Sequence, residues 1–272
     1  FTYSQINRFF LKKNKIKFIK KNLIDKIKKI KINDNLSFYP LNKTIVGESH
    51  SSKLNRITKY LKKNKSDHLF ISAPENVAWA LNIRGADIPN SPIPNSRLII
   101  SKNKQILLIS KLQKVKKLIK KKIIKPNQVT DVENFAKKIL QLKGKSFIVD
   151  DKSCSIFFEE LIKSKFKIIQ REDPVYKFKS IKNNTEIKNM INTHIIDGVA
   201  LTKFLYWIKK INKKKINEVQ AQNKLESFRK LNKNYLYPSF DTIAGTGKNG
   251  AIVHYRANNE NCRVIKKNDI FL

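Results

Sequence analysis

Cysteine, glycine and acid are scarce in this chain. Of 272 residues only two are Cys and seven are Gly, and 21 Asp and Glu stand against 58 Lys and Arg. Cys154 and Cys262 lie far apart, with no His or Cys at metal-ligand spacing, which excludes a disulfide framework and a zinc knuckle and fits a reducing cytoplasm. So few glycines exclude a collagen-like repeat, and no other fixed period is visible. Long apolar runs are missing as well. Stretches such as Leu98-Ile99-Ile100 and Ile106-Leu107-Leu108-Ile109 fall far short of the roughly twenty residues a membrane span needs, so no membrane partner is expected. What is present is 40% apolar content, which at this length buries a real core, excludes a disordered tail and implies more than one domain. The chain opens on Phe1 without a charged leader and closes on Asp269-Ile270-Phe271-Leu272, which reads as a strand cut in progress. A fragment open at both ends is the expectation.

The net charge of +37 invites a nucleic-acid reading, since such a chain would condense onto phosphate in a salt-dependent way. Only eight of the basic residues are Arg, however, and the lysines are spread through nearly every segment among Asn and Ile rather than gathered on one stripe. These residues have A- and T-rich codons, and Lys lacks the planar fork that suits phosphate or guanine recognition. A compositional origin is favoured, and no nucleic-acid partner is expected.

Three stretches differ in pattern. Residues 1–45 carry an apolar rhythm in Phe9, Phe10, Ile16, Phe18, Ile19, Leu23, Ile24 and Ile27 and end at Tyr39-Pro40, too short for a domain. From Ser51 to about Pro174 helices alternate with strands. Leu54, Ile57 and Leu61 mark an amphipathic helix and His68 to Ser72 a buried strand, and a helix covers Glu75 to Leu81. Arg97 to Ser101 and Gln105 to Ser110 make a hairpin. A Lys-rich helix, a helix near Val132 to Leu142, strand Ser146 to Asp150 and helix Ile156 to Ile162 follow. This is an α/β domain with a mostly buried sheet. After Asp173-Pro174 come two long helical patterns. Ile187, Met190, Ile191, His194, Ile195, Val199 and Phe204 mark one apolar face, and Val219, Leu225, Phe228 and Leu231 mark the next. Strands are expected at Phe240 to Ala244 and Ala251 to Tyr255, joined by a glycine turn, which makes this part α+β.

Few residues are candidates for chemistry. Alternation in a strand Ala251 to Tyr255 would put Ile252 and His254 on one face, and a strand histidine after a glycine turn can donate a proton or stabilise an oxyanion. The plainer reading of His254 is a half-buried side chain bonded to its neighbour. His194 reads as a packing residue, and His50 and His68 have no partner cluster. Gly245-x-Gly247-x-x-Gly250 matches the dinucleotide pattern by letter but joins strand to strand, so no helix N-terminus waits for a pyrophosphate. Glu159-Glu160 and Asp150-Asp151 are adjacent along the chain and do not face one cavity. Neither a Ser-His-Asp elbow nor a Walker sequence is present.

Several strings together carry a resemblance. Trp79 and Asn82-Ile83-Arg84-Gly85-x-Asp87-Ile88-Pro89 form the first, with Asn22-Leu23-Ile24-Asp25 and Gly47-Glu48-Ser49 upstream of them. Downstream lie Lys179-x-Ile181-Lys182-Asn183-x-x-Glu186-Ile187, His194-x-x-Asp197-Gly198-Val199-Ala200-Leu201, and Ser239 to Ile243 continuing through Asn249-Gly250-Ala251-Ile252-x-His254-Tyr255. Collinear over the whole chain, they resemble the three-domain Xaa-Pro aminopeptidases (aminopeptidase P) of the creatinase and pita-bread metallopeptidase family.

The resemblance implies three parts: residues 1–45 as the tail of a first creatinase-like domain, 46–175 as a second, and 176–272 as the start of a pita-bread catalytic domain. It implies hydrolysis of the bond between an N-terminal residue and a following proline, two divalent metal ions, usually manganese, that activate a bridging water, and a homodimer. The matching His254 would bind substrate and stabilise charge or shuttle protons, and Ile252 would line the pocket for the N-terminal side chain. The family's metal ligands, Asp, Asp, His, Glu and Glu, all follow this histidine, and the first would fall just past Leu272. Residues 1–272 are therefore expected to hold no dinuclear centre and to be inactive alone, with Asp269 not a ligand. Uncovered strand edges and helix faces would then favour poor solubility or local disorder after about residue 175. Two rival functions are a non-catalytic pita-bread module that binds protein partners and, behind it, a basic nucleic-acid binder.

Overall fold

Apolar strands that carry side chains at both phases of the two-residue period must be covered on both faces, and the N-terminal part of the chain is built that way. The computed structural model describes residues 1–10, 15–17, 19, 23–27, 37–210 and 215–272. Phe18 of the first apolar rhythm and Asn22 of the upstream string Asn22 to Asp25 lie outside the described residues. The chain divides into two units, Phe1–Thr185 and Glu186–Leu272.

In the first unit α1 (Tyr3–Phe9) and α2 (Ile24–Ile27) precede β1 (Tyr39–Pro40) and α3 (Lys43–Val46). Then come α4 (His50–Lys63), β2 (His68–Ile71), α5 (Pro74–Leu81), β3 (Ile83–Arg84) and the hairpin β4 (Arg97–Ser101) and β5 (Ile106–Ile109). A 3-10 turn at Leu112–Val115 runs into α6 (Lys116–Lys120). It is followed by β6 (Val129–Thr130), α7 (Phe135–Gln141), β7 (Ser146–Val149), α8 (Ile156–Lys163), β8 (Lys167–Gln170) and α9 (Pro174–Ser180). Six strands form one sheet in the order β6-β5-β4-β2-β7-β8, parallel except where β4 pairs with β2 and β5. β1 and β3 make a separate two-stranded antiparallel ribbon.

The alternation sorts the core. Leu69, Ile71, Leu98, Ile100, Leu108 and Ile148 point to one side, against Leu54, Ile57 and Leu61 of α4 and Val77, Ala80 and Leu81 of α5. Phe70, Ile99, Leu107, Ile109, Phe147 and Val149 point to the other, against Phe135 and Ile139 of α7 and Phe158 and Ile162 of α8. The helices expected from periodicity form, α7 starting at Phe135 rather than Val132. β8 was not foreseen: Lys167-Ile-Ile-Gln170 is too short and too polar at its ends to announce itself, and it owes its place to parallel pairing with β7.

Three of the motif strings meet in one corner of this unit. Asn82 takes a left-handed conformation (φ 54°) that ends α5. Its Nδ2 donates to Glu48 O (2.8 Å), and its Oδ1 accepts from the buried Lys53 Nζ (2.7 Å), which lies over the Trp79 ring. Glu48 pairs with Arg56, whose guanidinium stacks on Trp79 and Phe178. Gly47 sits at φ 73° against the Asn183 side chain, and Asn183 Nδ2 donates to Val46 O (2.9 Å). Gly85 leaves no room for a Cβ beside Pro94. Asp87 accepts from Asn95 N (2.7 Å) and forms a buried ion pair with Lys114.

In the second unit α10 (Asn184–Lys210) and α11 (Glu218–Arg229) pack through Phe204, Ile216 and Ala221, with Trp207, Leu225 and Phe228 around them. The helical period of α10 is as expected, but the packed face is not. Of the expected face only Phe204 is buried, joined by Ala200, which was not on it, while Ile187, Met190, Ile191, Ile195 and Val199 are exposed, because α11 packs at the Phe204 end. No helix among the described residues is long and apolar enough to cross a membrane.

Two predictions follow from the buried acids of the first unit. Asp87→Ala leaves Lys114, whose side chain is 7% exposed, without its carboxylate; the expected loss is about 3 kcal/mol. Urea unfolding followed by Trp79 emission in a Trp207→Phe background measures it, and a loss below about 1 kcal/mol would mean that the pair behaves as a surface contact. Asp173 is 1% exposed; burial pushes its carboxyl up to about 6, against the opposing hydrogen bonds from Val175 N and Asn76 Nδ2. The folded state then takes up this proton before the unfolded one, so the group adds stability as pH falls from about 6 to 4, by about 3 kcal/mol in full. Asp67, held down to about 2 by Lys102 and backbone donors, acts in the opposite sense and only below pH 4. Among the described residues Asn76 Oδ1 has no partner, so an amide flip lets it accept from a protonated Asp173. Asp173→Asn supplies the same donor at every pH and should flatten the stability profile between pH 4 and 6.

Candidate active site

Residues 239–272 do not form the hairpin that alternation suggests. Phe240 to Ala244 are irregular, Gly247–Ala251 is a single 3-10 turn, and Ile252 to Tyr255 close a second turn through Tyr255 N–H donating to Ile252 O (3.2 Å). Extended pairing appears elsewhere: Gly245 and Leu272 exchange backbone hydrogen bonds (3.1 and 2.9 Å), and Gly247 N–H donates to Ile270 O (3.0 Å). The expected placement of Ile252 and His254 on one strand face is therefore corrected. Both side chains are exposed on a turn, and His254 adopts a left-handed φ of 55°. Glycines at 245, 247 and 250 permit the tight path; Gly247 itself has φ 53°. The same geometry disposes of the dinucleotide pattern, because one 3-10 turn follows the glycines and no α-helix begins there.

What holds this segment is Glu218, at the first turn of α11 and fully buried. The start of α11 is fixed by a reciprocal cap, Gln220 N donating to Asn217 Oδ1 (2.8 Å) and Asn217 N to Gln220 Oε1 (3.0 Å). Glu218 Oε1 accepts from Thr246 N (2.7 Å) and Asn249 Nδ2 (3.1 Å). Oε2 accepts from the Tyr255 hydroxyl (2.7 Å), Arg263 N (2.9 Å) and the same Asn249 amide (3.1 Å). Burial alone would raise this carboxyl, yet the donors outweigh it and hold the group below its ordinary value, so it is anionic. Tyr255, buried beside that charge, is pushed up to about 12 and keeps its proton for the bond. Sequence reading missed Glu218; its one local signal was the Asn217–Gln220 cap.

The remaining candidates separate cleanly. His194 is exposed on α10 and bonds its own helix at Met190 O (2.9 Å), so it is not the packing residue expected. His68 is buried between Ser101 Oγ (2.8 Å) and Lys143 O (2.7 Å) and stacks on Phe147, a structural histidine with partners the sequence did not disclose. Asp197 forms a two-pronged pair with Arg229 (2.6 and 3.1 Å) beside a groove of about 490 Å³ lined by Ile195, Val199, Leu231 and Leu236. Asp241 pairs with Arg256, and Asp269 accepts from Thr246 Oγ1 and Lys266 N. Among the described residues no group of three or more His, Cys, Asp or Glu is gathered to hold a metal ion. The described residues therefore do not fit a dinuclear centre.

A sequence model of the creatinase/prolidase N-terminal domain matches residues 31–186, and the chain belongs to that family. Residues 188–272 match metallopeptidase family M24. Among curated relatives, a probable Xaa-Pro aminopeptidase P of Paracoccidioides brasiliensis is 33% identical over 93% of this chain and 44% of its own length. Xaa-Pro aminopeptidase 1 of Dictyostelium discoideum is 31% identical over 90% of this chain and 41% of its own. The chain thus spans less than half the length of these relatives. The fold matches an X-prolyl aminopeptidase from Caenorhabditis elegans, described as a cytosolic enzyme with a di-nuclear active site, at a TM-score of 0.79 and 24% identity, covering 93% of this chain and 43% of that one.

The left-handed turn gives a prediction of its own. Asn adopts φ near 55° readily and a β-branched residue does not. His254→Asn should leave the thermal midpoint followed by Trp207 emission unchanged, whereas His254→Val should cost about 1–2 kcal/mol. Equal effects would show that the turn does not constrain this position.

Proposed function

We propose that the complete protein is an Xaa-Pro aminopeptidase, releasing an N-terminal residue that precedes proline from a peptide. The observation that carries this reading is the collinear likeness to Xaa-Pro aminopeptidases over 93% of the chain, continuous across both units. Residues 1–45 are read as the tail of a first creatinase-like domain, 46–175 as a second, and 176–272 as the opening of the catalytic one. The chemistry would be the Lewis-acid and water activation that two divalent cations supply, manganese by resemblance, and the described residues gather no ligand set for them.

This chain's own contribution is the turn at Ile252 to Tyr255. Its exposed histidine can donate to, or accept from, a peptide laid across it, and the exposed Ile252 offers an apolar contact for the N-terminal side chain. A homodimer in the cytoplasm completes the reading; two free cysteines agree with a reducing compartment.

The test is release of the N-terminal residue from an Xaa-Pro peptide by the complete protein with manganese, beside the turn-preserving His254→Asn variant. Cleavage that the variant reduces about 100-fold or more in kcat supports the assignment. A protein that binds two metal ions yet cuts no Xaa-Pro bond would overturn the substrate class.

A further inference from the structure

We propose that Glu218 is the positioning residue of this site: its buried carboxylate fixes the segment Thr246–Arg263 so that His254 is held in its left-handed turn and offered to the substrate. The inference rests on the reading of His254 as the group that handles the peptide. Its support is geometric. The donors that Glu218 gathers come from Thr246 and Asn249 before the histidine and from Tyr255 and Arg263 after it, so one carboxylate clamps both sides of the turn. Tyr255 is the immediate neighbour of His254 and is 6% exposed, its hydroxyl donating to Glu218 and accepting from Asn249 Nδ2 (2.8 Å). The side chains of Ala251 to His254 are all exposed, so besides this clamp the turn rests on its own backbone bonds, Ile252 N–H to Asn249 O and Tyr255 N–H to Ile252 O (both 3.2 Å), and on the flanking contacts of the Tyr255 hydroxyl with Asn261 O and of Arg256 with Asp241.

Charge and shape both require a carboxylate here. Each oxygen faces a backbone N–H, Thr246 on Oε1 and Arg263 on Oε2, and backbone donors cannot be reversed. An amide has one oxygen, so Glu218→Gln sets an NH2 against one of those N–H groups whichever way it is turned. Tyr255→Phe removes one side-chain donor and leaves both backbone donors in place.

The experiment compares Glu218→Gln, Tyr255→Phe, His254→Asn and the double variant Glu218→Gln/His254→Asn in the complete protein, with kcat and KM for an Xaa-Pro peptide and hydrogen exchange across residues 240–272. The expected result for Glu218→Gln is faster exchange confined to Thr246–Arg263 and a fall in kcat of at least about 10-fold. Tyr255→Phe should show a smaller change of both kinds. The double variant should be no worse than His254→Asn alone, because a residue that acts only through His254 has nothing left to position. Unchanged exchange in Glu218→Gln, or a second full loss in the double variant, overturns the proposal. If Glu218→Gln does not fold, the Tyr255→Phe and Tyr255→Phe/His254→Asn pair makes the same comparison. Should His254→Asn keep full kcat while the complete protein cuts the peptide, the role of His254 falls and the proposal with it. That outcome differs from an impaired His254→Asn beside a silent Glu218→Gln, in which Glu218 alone is refuted.

Discussion

A carboxylate taken out of water must be given donors or a countercharge, and in a chain with 21 acids among 58 bases those few buried acids organise what surrounds them. Asp87 binds Lys114 and caps the loop at Asn95; Asp173 ties α9 to Asn76; Glu218 gathers four residues from a segment with almost no regular structure. Among the described residues the lysines lie mostly at exposed positions, with Lys53 and Lys114 as buried exceptions. The large positive charge is therefore a property of the surface, and the specific architecture rests on its minority partners.

The sheet of the first unit was legible because both of its faces are buried. His68 to Ile71, Arg97 to Ser101, Ile106 to Ile109 and Ser146 to Val149 are short apolar runs whose alternate residues enter two cores, and the helices between them show one apolar face each. The short pairings were not legible. β1 with β3, and β6 and β8 at the two edges, are two to four residues long and depend on partners distant in sequence. Local pattern carries no information about such partners.

The second unit shows where pattern misleads. Ala251-Ile-Val-His-Tyr255 alternates as a strand would, but alternation decides structure only when a neighbouring strand takes up the backbone groups. Here Glu218 takes Thr246 and Arg263, and Leu272 and Ile270 take Gly245 and Gly247, so 251–255 folds as turns instead. The bonds that decide the matter run between residues 37 and 45 positions apart, Glu218 to Tyr255 and Glu218 to Arg263, and no short window contains both ends. On α10 the period was legible and the packed side was not, since periodicity names a face but not what lies on it.

The motif strings divide by what the structure does with them. Gly47, Asn82, Gly85 and Asp87 are consumed by close approach, capping and a buried ion pair, and Asp197 by its pairing with Arg229. Each would be demanded by the fold whatever the protein did. Asn249 and Tyr255 are likewise bonded inward to Glu218, whereas His254, between them, is turned out at a backbone angle that costs a non-glycine residue energy. A histidine held in that way by its buried neighbours gains the fold nothing that asparagine or glycine would not supply. Its side chain, like those of Ile252 and Val253 beside it, stands in solvent and takes no part in the packing, so the string's inward-bonded residues account for the turn and its outward ones do not.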